Sequence, residues 1–273
     1  MDASYTQEYE SFELRHWWFV ARRQIIHQAL DRFGRMGAAE PRWLDVGCGT
    51  GVLLDSYPAI SHKLGLELDG GSVLRAQKKG LDVRQVRPRW DFREYGAFDL
   101  VTLTDVIEHV ERDQEAVDAV RAVLNDNGIV LVTVPALMGL WSSHDVVNHH
   151  FRRYTIRTLL PLFPPEQWKV LKVSYFSSLL FPMVYTARKL KNWRDKGKPP
   201  TEMTHDLKFG PRLSDWMLMQ IFRSEKLWLR FARFPVGSSI LLVAQKQDSG
   251  IGGERPSAEG AKSAGKESAT VPS

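Results

Sequence analysis

The chain has 273 residues, is 43% hydrophobic and carries a formal net charge of +5, with an isoelectric point near 9.3. This length suits one α/β domain with an insertion or two small domains, and the mild basicity requires neither nucleic acid nor a membrane as a partner. The single cysteine, Cys48, excludes an internal disulfide and fits a reducing compartment. No signal peptide and no run of about 18 apolar residues is seen, so we expect a cytoplasmic protein without a membrane-spanning helix.

Helix and strand signals alternate along the first half of the chain. Apolar residues at helical spacing predict a helix over 7–33. Short apolar runs predict strands at 43–46, 63–67, 82–86, 98–104 and 128–134. Further helices are predicted at 71–79 and 113–124, the second of them followed by a turn at 125–128. Repeated strand–helix units predict an α/β fold with a parallel sheet, which binds ligands at the carboxyl ends of its strands.

The pattern changes after Pro135. A short helix is expected at 155–162, a strand at 168–173 and a last strand at 236–245. Between these two strands lies an insertion rich in aromatic residues and methionine, with a basic stretch at 188–198. The resulting division is an N-terminal helical lid (1–40), a core (41–173), a helical substrate-cap insertion (174–235), the last core strand (236–247) and a tail (248–273) whose composition predicts disorder.

The sequence LDVGCGTG at 44–51 places three glycines as G-x-G-x-G between a strand signal and a helix signal. Such a turn brings bare backbone and a helix N-terminus close to a ligand. A dinucleotide fold requires G-x-G-x-x-G, whose third glycine is replaced by Val52 here, and a P-loop requires a Lys-Ser/Thr pair that this segment lacks. The spacing argues against both, and it resembles motif I of class I S-adenosylmethionine (SAM)-dependent methyltransferases.

Further segments support this resemblance. Glu67 ends the second predicted strand, where the family has an acidic residue that accepts hydrogen bonds from the ribose hydroxyls. Segments 96–110 and 124–135 resemble the family's fourth-strand motif and fifth-strand region. The resemblance implies a Rossmann-like seven-stranded sheet with helices on both faces, an antiparallel last hairpin and a helical insertion before the last strand. It also implies SAM as the cofactor, bound by Asp45, Gly47, Cys48, Gly49, Gly51, Glu67, Leu68, Thr104 and Asp105.

The adenine contact departs from the family pattern. The family often places an acidic residue after the third strand, where it holds the adenine amino group. Here that segment reads VRPRWD, from Val86 to Asp91. Two alternatives stay open at this point: Asp91 takes the acidic position, or Trp90 stacks on the adenine ring.

Asp105, Glu108 and His109 form a D-x-x-E-H pattern after the fourth predicted strand. Residues three and four positions apart share a helical face, so these side chains can point together into the mouth of the sheet. The pattern resembles the E-x-x-E-H of ubiquinone-biosynthesis O-methyltransferases, which implies a divalent metal such as Mg²⁺ or a transition metal. Similar strings in metal-free methyltransferases cap a helix or hold a loop, and we expect no metal here.

The segment HDVVNHHFRRYT at 144–155 resembles the H-x-R-R-Y-T element of a bacterial group of methyltransferase domain-containing proteins. A histidine with a pKa of about 6.5 suits a general base that deprotonates a substrate hydroxyl, and arginines suit an anionic substrate group. The predicted catalytic residues are His144, His150 and, next, His109, and the predicted substrate-binding residues are Arg152, Arg153 and Tyr154. The alternative is a loop held by salt bridges, with the tyrosine packed beneath it.

Two aromatic regions each have two interpretations. The string HWWFVARR at 16–23 also fits the pattern of that bacterial group, and it forms either a lid over the SAM pocket or packing between helix and sheet. The aromatic residues and methionines of 174–235 predict helix packing or a cap for an apolar acceptor. The basic stretch at 188–198 predicts either a solvated face or contact with anionic headgroups.

We therefore predict a SAM-dependent methyltransferase that O-methylates a hydroxylated small-molecule or lipid-linked acceptor, with peripheral membrane contact and no nucleic-acid partner. A catalytically inactive SAM-binding regulatory or complex subunit is the alternative; altered glycines or a lost acidic residue after the second strand would favour it, and neither is seen. An RNA methyltransferase would require a dense basic stripe, which the mild charge does not supply. The identity of the acceptor, O- against N- or C-methylation and the oligomeric state stay open.

Overall fold

The computed structural model describes residues 10–34, 38–194 and 212–247. One sheet contains β1 (Arg42–Val46), β2 (His62–Glu67), β3 (Val83–Gln85), β4 (Phe98–Thr104), β5 (Leu124–Pro135), β6 (Trp168–Phe176) and β7 (Ser239–Lys246). Its strand order is β3-β2-β1-β4-β5-β7-β6, with β7 antiparallel to both neighbours and all other pairs parallel. The predicted Rossmann-like seven-stranded sheet with an antiparallel last hairpin is confirmed. The strand order reverses between β1 and β4, which is where open α/β sheets bind ligands.

Eight α-helices are described around this sheet, and short 3₁₀ turns connect some of the elements. They are α1 (Trp17–Phe33), α2 (Val52–Asp55), α3 (Gly70–Lys78), α4 (Asp113–Val123), α5 (Ser143–Val147), α6 (Ile156–Leu159), α7 (Phe181–Arg194) and α8 (Arg212–Phe231). Residues 10–15 are also helical. His16 divides this segment from α1, because its backbone is extended and its ring accepts a hydrogen bond from the Trp18 amide at 3.3 Å. The single helix predicted over 7–33 is therefore two helices in the described residues.

Helices pack on both faces of the sheet because successive residues of each strand point to opposite sides. Val130 and Val132 of β5 belong to one hydrophobic cluster together with Val117 and Val120 of α4. Leu131 belongs to the other cluster, in which α1 and α8 supply the helical residues Ile25, Ile26, Leu30, Phe222 and Leu229. Helix α1 and helix α8 of the insertion therefore share one core layer.

Three predicted boundaries differ from the structure. Strand β5 begins at Leu124 rather than at 128 and includes the predicted turn at 125–128, where the register with β4 shifts between the Phe98–Leu124 and Leu100–Ile129 pairs. Strand β6 continues to Phe176 instead of ending at 173, since its last residues pair with β7. The last strand begins at Ser239 rather than at 236.

The insertion consists of α7 and α8 in the described residues, and 195–211 lies outside them. The expected disordered tail at 248–273 also lies outside the described residues. None of the helices in the described part of the chain combines the length and the apolar character that crossing a bilayer requires.

Candidate active site

A cavity of about 1470 Å³ lies at the carboxyl ends of the central strands. Its walls come from the glycine loop after β1, the ends of β2 and β4, the loop around α5, and the helices α1 and α7. Every predicted cofactor residue except Gly51 lines this cavity, and so do all three predicted base candidates and Arg153. The predicted substrate residues Arg152 and Tyr154 are not among its lining residues.

The glycine loop needs glycine for reasons of backbone conformation and space. Gly47, Gly49 and Gly51 have φ angles of +71°, +56° and +76°, in the left-handed region that disfavours side chains. A Cβ atom on Gly47 would lie 2.7 Å from a methyl group of Val106, and one on Gly51 would lie 2.5 Å from a methyl group of Leu81. Gly51 is thus a packing position behind the cavity, whereas Gly47 and Gly49 present backbone to it.

Glu67 organises the glycine loop from the end of β2. One carboxylate oxygen accepts a hydrogen bond from the Gly49 amide at 2.8 Å, and the other accepts from the amides of Leu68 and Asp69 at 2.8 and 2.9 Å. An ionised carboxylate can accept about four hydrogen bonds, so it still has capacity for a ligand hydroxyl. The side chain of Leu68 is exposed beside it on the cavity wall.

Asp45 lies beneath the same loop and is almost fully buried. The Thr102 hydroxyl donates to its carboxylate at 2.5 Å, and the Trp43 indole N–H in turn donates to Thr102 at 2.9 Å. Burial raises the pKa of Asp45 to about 7. Cys48 is also buried, and burial raises the pKa of its thiol, so it is a small packing residue rather than a nucleophile.

Glu13 is a site residue that the sequence predictions missed. It comes from the helical segment 10–15, and its carboxylate accepts a hydrogen bond from the Thr50 hydroxyl at 2.8 Å. A carboxylate oxygen lies 3.7 Å from where a Cβ of Gly49 would be. Burial raises the pKa of Glu13 to about 7, against the opposing effect of the Thr50 hydrogen bond. Neighbouring Glu10 pairs with Lys79 at 2.6 Å and anchors this segment over the loop.

Asp105 forms a salt bridge across the cavity. The guanidinium of Arg22 lies 2.7 Å from one carboxylate oxygen, and the Thr133 hydroxyl donates to the other at 3.2 Å. Asp105 has a φ angle of +58°, so the chain turns sharply after Thr104 at the end of β4. Arg22 was part of the aromatic string in the sequence, but nothing in the sequence indicated which acidic residue it would meet.

The structure separates the two alternatives for adenine. Trp90 lines the cavity, and Asp91 is not among the lining residues. The carboxylate of Asp91 accepts hydrogen bonds from Arg89 at 3.0 Å and from Arg93 at 2.8 and 2.9 Å. This geometry favours stacking on Trp90 over a hydrogen bond to Asp91.

The loop around α5 holds a buried ion-pair network. A capping box joins Ser142 and Asp145, and it fixes the carboxylate of Asp145 in the interior. His150 Nδ1 lies 2.9 Å from one oxygen of Asp145, and Arg153 donates to both oxygens at 2.7 and 3.0 Å. Burial alone would raise the pKa of Asp145, but the hydrogen bonds from His150 and Arg153 outweigh it and hold that pKa below its usual range.

His150 also faces the residues of the D-x-x-E-H pattern. Its ring centre lies 4.5 Å from that of His109 in an edge-to-face arrangement, and 6.2 Å from that of His144. Burial and, next, the nearby His150 lower the pKa of His109 to about 4. Burial, with a contribution from Asp105, raises the pKa of Glu108 well above its usual value.

Glu108, His109 and His150 form a set that could hold a cation. One donor atom from each lies within 4.8 Å of the others, and neither carboxylate oxygen of the fully buried Glu108 has a hydrogen-bond partner among the described residues. Two imidazoles and a carboxylate suit Zn²⁺ or Fe²⁺ better than Mg²⁺, and a bound cation would lower the pKa of a substrate hydroxyl. The set differs from the sequence pattern, because Asp105 pairs with Arg22 and His150 takes its place.

Arg152 and Tyr154 point away from the cavity. Arg152 pairs with Asp113 at 2.8 Å, and the buried Tyr154 hydroxyl donates to the same carboxylate at 2.7 Å. These contacts match the alternative of a loop held by salt bridges, so nothing in the described contacts supports substrate binding by either residue. Arg153 lines the cavity, but its guanidinium holds Asp145.

Comparison with known proteins defines the family. The family model of the methyltransferase domain matches residues 16–173, and the chain therefore belongs to that family. It is 28% identical to a ubiquinone biosynthesis O-methyltransferase of Aromatoleum aromaticum over 162 residues, or 54% of this chain and 64% of that protein. The match thus spans less than two thirds of the relative's length. The predicted methyltransferase family is confirmed, and membership of this family supports SAM as the cofactor.

Solved structures agree on the fold. A SAM-dependent methyltransferase of Clostridium acetobutylicum superposes with a TM-score of 0.54 at 11% identity, over 90% of this chain and 100% of that one. A chain from a Haloferax volcanii complex that contains the Trm112 methyltransferase activator gives a TM-score of 0.55 at 14% identity, over 90% and 95%. At identities this low, the superpositions establish the shared fold alone, so the acceptor has to be inferred from the chemistry of the site.

Proposed function

We propose that this protein transfers a methyl group from SAM to a hydroxyl oxygen of a small-molecule acceptor. The observation that carries the proposal is that one cavity contains both the glycine loop with Glu67 and the Asp145–His150 pair. Methyl transfer from a sulfonium is an in-line displacement, so the protein mainly positions two reactants and removes one proton. A cavity that is lined both by cofactor-binding residues and by a general base meets both requirements.

SAM binds along the wall formed by β1, β2 and β4. The carboxylate of Glu67 accepts hydrogen bonds from the ribose hydroxyls, and the backbone of Gly47–Gly49 lies against the methionine part. Ionised Glu13 contacts the α-ammonium, while Trp90 stacks on the adenine ring. Support comes from the position of Glu13 on the cavity wall beside Gly49 and from the place of Trp90 on the same wall.

His150 removes the acceptor proton. Because ionised Asp145 accepts from Nδ1, the Nε2 atom of His150 keeps its lone pair, which is the tautomer that a general base needs. His144 and His109 are the next candidates, and the low pKa of His109 makes it the weaker base. We propose no metal in this step, because the Asp145–His150 pair already supplies a general base.

The acceptor is amphiphilic and enters between α1 and α7, with the helical residues 10–33 as a lid and helices α7 and α8 as a cap. Both helices contribute apolar side chains to the cavity, among them Trp17, Trp18, Phe19, Met183 and Val184. Basic side chains also line the cavity at Arg87, Arg89, Arg188 and Lys191. Together they suit an acceptor with an apolar body and an anionic group. No nucleic acid is required.

Isotope-labelled SAM tests the proposal. The purified protein is incubated with labelled SAM and a small-molecule and lipid extract, and mass spectrometry identifies compounds that gain the label. We expect a labelled methyl ether, formed by the wild type and lost with His150→Ala. If SAM binds but no compound gains the label, the protein is a non-catalytic SAM-binding subunit. If the label is found on nitrogen or carbon, O-methylation is wrong.

A further inference from the structure

Helix α8 is apolar on two opposite faces. One face is buried against the sheet through Phe222 and Leu229, and Phe222 also contacts Trp17 of α1 at a ring distance of 6.3 Å. At 100° per residue, the opposite face carries two groups of large apolar side chains, one in the first half of the helix and one in its last five residues. These exposed residues, called the α8 stripe below, are Leu213, Trp216, Met217, Ile221, Leu227, Trp228 and Phe231.

The exposure of the α8 stripe is unusual for this protein's surface. Phe231 is 79% exposed, Leu213 70% and Trp228 58%. Single exposed apolar residues are common, but seven of them on one side of a 20-residue helix indicate a surface that binds an apolar partner. Helix α7 repeats the feature on a smaller scale, with Leu190 at 49% and Trp193 at 74% exposed.

Positive charge surrounds these apolar residues. Lys189 and Arg194 are exposed on α7, Arg223 and Arg230 are exposed on α8, and Arg233 follows it. Within the described residues from 177 to 247, the acidic residues are Asp215 and Glu225. Glu225 is fully buried and accepts hydrogen bonds from the amides of Ser178 and Leu179, so it does not offset the surface charge.

We propose that the α8 stripe and its basic border form a docking surface for an anionic lipid membrane. Aromatic side chains with flanking arginines and lysines suit the boundary between headgroups and acyl chains. A symmetric dimer through this face would bring the basic residues of two copies close together, and like charges across an interface oppose association. Aliphatic members of the stripe, such as Leu227, insert among acyl chains.

Helix α7 connects this surface to the active site. Met183, Ala187 and Lys191 line the cavity, while Leu190 and Trp193 of the same helix are exposed. The core that α8 buries also contains Leu180 at the start of α7. Use of the docking surface to deliver a membrane-borne acceptor rests on the proposed function, whereas the docking itself does not.

Vesicle co-sedimentation of the full chain tests the docking surface. The probes are phosphatidylcholine vesicles with and without phosphatidylglycerol, each at low and high salt. We expect binding to the anionic vesicles that weakens with salt, and a partition coefficient at least about tenfold lower for Trp228→Ser/Phe231→Ser. Arg223→Glu/Arg230→Glu should weaken binding at low salt. Leu74→Ser is the matched control, since Leu74 is 61% exposed on α3, away from the α8 stripe.

Several outcomes would overturn the proposal. One is no binding of the wild type to anionic vesicles at low salt, and another is binding that the stripe variant leaves unchanged. A wild-type dimer that the stripe variant converts to a monomer in light scattering, without vesicle binding, would show that a second copy covers the stripe. The labelled-SAM assay on the same proteins separates the claims, because vesicle binding without methyl transfer would contradict the proposed function alone.

Discussion

His150 and Asp145 form a hydrogen-bonded pair in which the Nδ1 atom lies 2.9 Å from a carboxylate oxygen. Asp145 is fully buried, and Arg153 holds both of its oxygens, so the carboxylate has little freedom to move. The pair therefore fixes both the orientation and the tautomer of His150 at the cavity wall. This relationship makes His150 the preferred base among the three histidines.

His150→Ala should lower kcat by about 10²–10⁴, because it removes the general base, while the Kd for SAM stays within about twofold of the wild type. Steady-state kinetics on the identified acceptor and calorimetry with SAM measure the two effects. His149→Asn is the matched control, since His149 lines the same cavity and asparagine tolerates its φ angle of +56°. Wild-type turnover of His150→Ala would remove it from the mechanism.

Glu67→Ala should weaken SAM binding by about 2–4 kcal/mol, since two hydrogen bonds from the ribose to a charged acceptor are lost and water compensates in part. The same change leaves the amides of Gly49, Leu68 and Asp69 without their acceptor, so a small loss of thermal stability accompanies it. Titration calorimetry at a temperature well below unfolding separates the two effects. An unchanged affinity would show that SAM does not meet this carboxylate.

Gly51→Ala should destabilise the fold by about 2–5 kcal/mol. The left-handed φ angle costs about 1–2 kcal/mol, and the new methyl group would lie 2.5 Å from Leu81. Gly80→Ala is the matched control, because Gly80 has a φ angle of +82° but no atom within 4 Å of a new Cβ, so it should lose only the conformational part. Urea unfolding compares them, and equal losses would contradict the packing assignment.

SAM affinity should rise about fivefold between pH 6 and pH 7. Burial raises the pKa of Glu13 to about 7, and contact with the α-ammonium stabilises its ionised form, so binding releases a proton and strengthens as pH rises. Asp45 titrates in the same range, so the decisive comparison is Glu13→Gln, which should flatten this pH dependence. Glu10→Gln, on the same short helix, should retain it. Calorimetry in two buffers measures the affinity and the proton release.

Chelation should leave turnover unchanged, because Asp145 already positions His150 as a base without a metal ion. The measurement is kcat after dialysis against EDTA, with metal content determined before and after. Loss of activity on chelation and recovery with Zn²⁺ would show that Glu108, His109 and His150 hold a cation and that His150 is a ligand instead of a base. His109→Ala would then lower the bound metal content as well.

The residues on the cofactor side of the site are predictable from local sequence motifs. The glycine spacing and the acidic residue at the end of β2 lie on one strand–turn–helix unit and its neighbour, so Gly47, Gly49 and Glu67 could be placed by motif. Glu13 and Arg22 reach the cavity only through the packing of the N-terminal helices over the sheet, and no local pattern encodes that contact.

The acceptor side of the site was predicted less well for the same reason. The residue types after β5 indicate a general base and anion-binding groups. Whether each side chain reaches the cavity depends on how the loop folds. Arg153 turns inward to Asp145, while neighbouring Arg152 turns outward to Asp113. Both residues are arginines, so the sequence alone does not distinguish them.

Calorimetric titration of the wild-type protein with SAM and, separately, with NAD tests most directly whether this cavity is a SAM site. We predict that SAM binds with one molecule per chain, that Glu67→Ala weakens the binding, and that NAD produces no binding heat because the glycine spacing does not fit a dinucleotide. Binding of NAD without binding of SAM would contradict the assignment of the cavity and, with it, the proposed methyl transfer.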